Sequence, residues 1–181
     1  MRVPYPLTMA QEPPAALHAA ASPLEDEVVG WFDQMRAPLL RYLSTLGLPV
    51  AEGEEIVQEV FLSLFQHLQR GGGRSNLRGW LFRVAHNQGL KRRYRKVRTS
   101  ATTPTAADPS PSPEEQFLFG EAQRRLQAVV HALPEQDRRC LTLRAEGLRY
   151  REIAEVLEMS LGAVSLSLSR SLARIACVVE R

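Results

Sequence analysis

From Glu25 onward the apolar positions fall three and four residues apart. Val28, Phe32, Met35, Leu39, Leu43 and Leu46 make one such stripe, the signature of an amphipathic helix. Pro38 lies inside it and predicts a kink or a restart. Gly47 followed by Pro49 predicts the stop. A second helix is predicted to open near residues 51–53, with Ile56, Val57, Val60, Phe61, Leu64 and Leu68 as its core face. It should end at Gly71, Gly72 and Gly73, because consecutive glycines carry too much backbone entropy to stay helical. A third should run from about Leu77, with Trp80, Leu81, Val84 and Leu90 inward, into the basic run Lys91–Arg98. The next stripe is Phe117, Leu118, Ala122, Leu126, Val129, Val130 and Leu133. Pro134 restarts the chain, with Glu135 and Asp137 in the first turn and Cys140, Leu141 and Leu143 behind them. Two further helices are predicted over 150–158 and 162–175.

Two segments have no period. Residues 1–24, rich in Pro and Ala, read as a disordered tail. Residues 99–113, TSATTPTAADPSPSP, read as a linker. The expected fold class is therefore all-α: two small helical domains, 25–98 and 114–181, joined by a flexible Pro/Ser/Thr-rich linker. Domains of roughly 70 residues have marginal cores when alone.

The segment YREIAEVLEMSLGAVSLSLSRSLARI has the layout of a helix-turn-helix. Ile153, Ala154 and Leu157 would face inward on its first helix, and Val164 and Leu168 would anchor the second. Ser160 can cap that second helix, since its hydroxyl accepts an otherwise unpaired N–H. Such a pair presents its second helix to a DNA major groove. The turn normally holds glycine where this chain has Glu158, and a positive φ there would cost about 1 kcal/mol. The exposed face would offer Ser165, Leu166, Ser167, Ser169 and Arg170, with Arg174 further on. Serine discriminates bases weakly; a bidentate Arg or Asn reads them better.

Net charge changes this picture less than its placement. The whole chain carries +3. Glu52, Glu54, Glu55 and Glu59 lie in a stretch without Lys or Arg between Tyr42 and Gln69. From Arg70 to Arg98 there are ten bases and no acid. The two blocks are either solvated faces or contacts for two partners of opposite sign. The second half, 114–181, has equal numbers of acids and bases, so by itself it should bind DNA feebly.

Several classes are excluded. Cys140 and Cys177 have no metal-like spacing, which suits a reducing compartment and argues against a zinc site or disulfide scaffold. No cofactor or metal is expected. His18, His67, His86 and His131 are scattered without catalytic partners. The glycines at 71–73 lack the Lys-Ser/Thr of a phosphate-cradling loop, so an enzyme is the weakest reading. No apolar run is long enough to cross a bilayer, so no membrane insertion is expected. Prolines and His18 interrupt the N-terminus, which argues against a signal peptide.

Taken together, EEIVQEVFLSLF (54–65), WLFRVAHN (80–87), ALPEQDRRCLTLR (132–144) and YREIAEVLEMSLGAV (150–164) resemble the extracytoplasmic-function class of bacterial RNA polymerase sigma factors. Their order and spacing across a Pro/Ser linker are more specific than any one of them. The resemblance implies a cytoplasmic protein that binds core RNA polymerase, recognises the −10 and −35 promoter elements and promotes DNA melting. It makes 25–98 sigma region 2 and 114–181 sigma region 4. Glu55, Gln58 and Glu59 would dock on the beta-prime clamp helices, and region 4 would rest on the beta flap. Arg74, Ser75, Asn76, Trp80, Asn87, Lys91, Arg92, Arg93, Arg95 and Lys96 would serve the −10 element. Within that set, the loop from Gly71 to Asn76 would select the element and Asn87 would line a pocket for a flipped base. Trp80 has two readings, core filler and melting wedge. Arg149, Tyr150, Ser160, Ala163, Ser165, Leu166, Ser167, Ser169, Arg170 and Arg174 would serve the −35 element. An anti-sigma factor is a common partner in the class.

The chain departs from the class at three points: Gly71 stands where many relatives have an aromatic, an acid near Lys91 is missing, and Ser165 and Ser167 replace common bases. Two other functions remain open from sequence. One is a polymerase-independent helix-turn-helix regulator. The other is a protein-interaction module with reduced DNA binding, built around Leu166 and the serine-rich last helix.

Overall fold

The computed structural model describes residues 22–99 and 121–179. The tail reading over 1–21, the linker reading over 100–113 and the placement of Phe117 and Leu118 lie outside these residues. Among the described residues there are seven helices and no strand. They are α1 (Pro23–Thr45), α2 (Val50–Gln69), α3 (Leu77–Thr99), α4 (Glu121–His131), α5 (Glu135–Ala145), α6 (Tyr150–Leu157) and α7 (Leu161–Val179).

The first helix begins earlier than its apolar stripe suggests. Ser22 and Glu25 form a capping box: the Glu25 N–H donates to the Ser22 hydroxyl at 3.3 Å, and the Ser22 N–H donates to the Glu25 carboxylate at 2.9 Å. Pro23 takes the first helical position, where its missing N–H costs nothing. The expected restart at Pro38 does not occur; α1 runs through it. Met35, Leu39, Tyr42 and Leu43 are fully buried on one face of this helix. Burying four large side chains outweighs the roughly 3 kcal/mol that an internal proline costs.

The second helix keeps its predicted face, with Ile56, Val57, Val60, Phe61, Leu64 and Leu68 all buried. It ends where the glycines begin: Gly71 has φ +76° and its N–H donates to the Leu68 carbonyl at 3.0 Å. The third helix differs more from expectation. Leu77, Leu81, Phe82, Ala85 and His86 are buried, whereas Leu90 is exposed and Trp80 and Val84 are half-buried. Its burial is two-sided, because α3 packs on α1 and α2 and also on α6.

In the second bundle α7 packs against α4, α5 and α6. Ile153, Val156, Val164 and Leu168 are buried, and the Ser160 hydroxyl accepts the Ala163 N–H at 3.2 Å as the α7 cap. Glu158 closes α6 with φ 53° and ψ 43°, the left-handed turn expected of it. The two bundles share one hydrophobic cluster through α1 on α5 and α3 on α6. Arg41 grips Glu146 at 2.8 and 3.0 Å, and Arg78 donates to the Glu146 carbonyl at 2.6 Å. Behind these, the Tyr42 hydroxyl and His86 Nδ1 share a buried hydrogen bond of 2.7 Å.

Candidate nucleic-acid interface

Glu55, Gln58 and Glu59 are exposed and sit on one face of α2, at helical steps of three and four. The acidic and basic blocks, separate in sequence, meet in space. Arg92 donates to Glu55 at 2.7 Å and lies 3.7 Å from Glu59. Lys96 pairs with Glu52, and Arg36 with Glu54. The hydrogen bond that Arg92 donates to Glu55 holds the guanidinium pKa above its ordinary value, and the negative charge of Glu55, Glu59 and Glu52 adds to that. Arg93 pairs across the bundles with Glu135.

The loop between α2 and α3 is held at several points. Arg74 makes a forked contact with Glu27 of α1 at 3.1–3.2 Å. Asn76 sits at φ 56°, and its side-chain oxygen accepts the Gly79 N–H at 3.1 Å, capping α3. His67, in the last turn of α2, bonds the Gly73 carbonyl through Nε2 at 3.1 Å. Its ring stacks on Trp80, with centroids 5.1 Å apart and planes 27° from parallel. So Arg74 and Asn76, expected at DNA, already have structural partners, and Trp80 is half-buried against the core. Ser75 stays exposed at the loop tip.

Further along α3, Asn87 and Lys91 are exposed one turn apart. Arg95 and Lys96 are exposed at its far end, with Tyr94 exposed between the bases. No acid lies on this part of the helix, so it presents cations and one aromatic ring to solvent.

On the second bundle, Arg149 and Tyr150 are exposed at the start of α6, with Arg144 lying 5.9 Å from the Tyr150 ring centre. Ser165, Leu166, Ser169, Arg170 and Arg174 are exposed on α7, and Ala163 is half-buried. Ser167 is a correction. It is buried rather than on the reading face, and its hydroxyl donates to Asp137, to which Arg170 also donates at 2.9 Å. Sequence reasoning missed this buried carboxylate. Burial alone would raise the Asp137 pKa, but the Ser167 hydroxyl and the Arg170 guanidinium outweigh burial and hold it below the usual range. A signal was present: Ser167 and Ser171 fall three and seven residues after Val164, on the core stripe of α7.

Among the described residues no His, Cys, Asp and Glu side chains group to hold a metal ion, and no helix is long and apolar enough to cross a membrane. Comparison with known proteins places the geometry. Residues 31–99 match the family model for sigma-70 region 2, and residues 123–175 match that for sigma-70 region 4. A probable RNA polymerase sigma factor, RfaY of Xanthomonas campestris, is 35% identical over 134 residues. That match takes in 70% of this chain but 34% of the relative, so the chain spans about a third of RfaY. The ECF RNA polymerase sigma-E factor of Haemophilus influenzae is 27% identical over 146 residues, 74% of this chain and 75% of the relative. Among solved structures, the sigma factor RpoE in complex with the anti-sigma factor NepR from Bartonella quintana has the same fold. Its TM-score is 0.63 at 18% identity, over 86% of this chain and 98% of that one. Two sigma regions in this order, on seven helices arranged as in a solved sigma factor, mean that the chain belongs to the extracytoplasmic-function class of the sigma-70 family of bacterial RNA polymerase sigma factors.

Proposed function

We propose that this protein binds core RNA polymerase in the cytoplasm, directs it to promoters through −10 and −35 contacts, and promotes strand opening without making or breaking a covalent bond itself. The observation that carries the reading is the exposed trio Glu55, Gln58 and Glu59 on one face of α2, beside the cationic face of α3. Such a trio suits a basic protein surface, here assigned to the beta-prime clamp helices. The α3 cations suit DNA phosphates, a contribution that weakens steeply with salt.

The mechanism follows from these groups. Docking draws Glu55 and Glu59 onto the polymerase and away from Arg92, which then turns to phosphate. The loop 71–76 and Asn87 hold an unstacked −10 base; an amide both donates to and accepts from a base edge. That contact offsets the few kcal/mol of unstacking, so melting becomes part of recognition. Exposed Arg149, Tyr150, Ser165, Ser169 and Arg174 meet the −35 duplex, and the second bundle rests on the beta flap. A regulator that occludes these surfaces, such as an anti-sigma factor, would switch the protein off.

The test is transcription in vitro with core polymerase on genomic DNA, run beside a gel shift without polymerase. Start sites that appear only with this protein support the reading. Promoter binding without polymerase and without initiation refutes it in favour of a stand-alone regulator. Replacing Glu55 and Glu59 together by Lys should weaken polymerase binding while leaving the helical circular dichroism spectrum unchanged. Unchanged affinity would move the docking surface elsewhere.

A further inference from the structure

The loop Gly71–Asn76 lacks an aromatic of its own, yet it is not loose. His67 of α2 touches both this loop and the first turn of α3. The imidazole Nε2 bonds the Gly73 carbonyl at 3.1 Å, one ring face stacks on Trp80, and the ring lies against Gly72. A Cβ at Gly72 would fall on that imidazole, so any larger residue here must push the ring aside. The three contacts are independent: a hydrogen bond, a ring stack and a close backbone approach. Each ties a different residue to the same side chain. Together they fix the path of 72–73 relative to the first turn of α3, and on either side the chain is held by the Gly71 N–H on the Leu68 carbonyl and by Arg74 on Glu27.

We propose that His67 is a positioning residue for −10 recognition: it clamps the loop in the one conformation that captures the unstacked base. This inference rests on the reading of that loop given above. His67 itself need not touch DNA. Without the clamp the loop samples several paths, and ordering it would fall to the bound base, which lowers discrimination between the right base and the wrong one. Gly72 is the second half of the device, since a methyl there displaces the ring without altering it.

The test uses holoenzyme assembled from the full chain and core RNA polymerase, with a promoter library randomised through the −10 element. Open complexes are trapped and sequenced, and polymerase affinity is measured separately. His67→Ala and Gly72→Ala should each flatten the −10 base preference by about fivefold, the order expected of one neutral hydrogen bond, with polymerase affinity unchanged. His67→Phe keeps the stack on Trp80 and loses the bond to Gly73, so it should flatten the preference by a comparable factor if the bond carries the clamp. A wild-type preference in either alanine variant overturns the clamp. So does a loss of preference that tracks a loss of polymerase affinity, because the effect is then general destabilisation. Should His67→Ala not fold, His67→Phe decides: wild-type preference overturns the inference. If wild-type holoenzyme opens promoters with no −10 preference, the loop reading fails and the positioning role falls with it; a preference kept by the variants refutes only the role of His67.

Discussion

Gly89 and Gly30 make the same substitution informative twice. Both lie inside helices, Gly89 on α3 and Gly30 on α1. A Cβ at Gly89 would sit 2.7 Å from Leu46 Cδ1, 3.1 Å from Leu43 Cδ2 and 3.4 Å from Leu48 Cδ1. Leu43 and Leu46 are fully buried, so neither has free space into which to swing. At Gly30 an added Cβ meets nothing within 4 Å. Alanine gains about 1 kcal/mol of helix propensity at either site. Overpacking at Gly89 costs about 1–3 kcal/mol. The propensity gain cancels when the two variants are compared, which isolates the steric cost. Gly30→Ala should be about 1 kcal/mol more stable than wild type, and Gly89→Ala about 1–3 kcal/mol less stable than Gly30→Ala. Urea unfolding followed by tryptophan emission is the assay, because both tryptophans, Trp31 and Trp80, lie in the first bundle. Equal stability of the two variants would refute the close crossing of α3 on the end of α1.

Asp137→Ala leaves the buried Ser167 hydroxyl without its acceptor and should cost about 1–3 kcal/mol, read by chemical denaturation. Arg170→Ala should cost under about 1 kcal/mol, since that side chain is 55% exposed; equal losses would contradict the burial argument. Glu158→Gly relieves about 1 kcal/mol of left-handed strain, offset in part by a looser unfolded chain. It should therefore melt no lower than wild type, whereas Glu158→Val should melt lower; the reverse order would refute the strain. Burial, and secondarily the charge of Arg139, lowers the His86 pKa from 6.5 to about 4. Between those values the unfolded chain binds the extra proton, so stability should fall by up to about 3 kcal/mol as pH drops through this window. His86→Gln should remove that slope, and an unchanged slope would mean that other groups cause it. Asp137, held low in the folded state, contributes stability that is present above its ordinary pKa of 3.8 and lost only at more acid pH, so the two effects separate.

The parts legible in sequence were those with strong local causes. Periodic stripes marked α1 and α2, glycines marked the end of α2, and the Glu158 turn followed from helix-turn-helix geometry. Missed features each had a non-local or competing cause. Pro38 argued for a break, and the packing of Leu39, Tyr42 and Leu43 overrode it. Leu90 fits the apolar pattern of α3 but is exposed, because α3 is buried on two sides and its inward face is set by α1, α2 and α6, which lie elsewhere in sequence. Arg74 and Asn76 have the chemistry of DNA contacts; sequence gives no sign that Glu27 and the α3 N-terminus use them first. Ser167 was misplaced because a serine was read as surface chemistry when its register put it in the core.

Charge shows the same limit in a way that bears on function. Sequence separates an acidic helix from a basic one, and folding sets them side by side, so Arg92 reaches both Glu55 and Glu59. The contact does not mask the acids. Glu55 and Glu59 remain 59% and 55% exposed, and an exposed ion pair is worth only about 0–1 kcal/mol. A basic surface of a partner can therefore replace Arg92 at little cost. Under the proposed docking, the released guanidinium would add one cation to the α3 face for DNA. On this argument Arg92→Ala weakens DNA binding by the holoenzyme more than it changes polymerase docking, because only the DNA contact loses a charge.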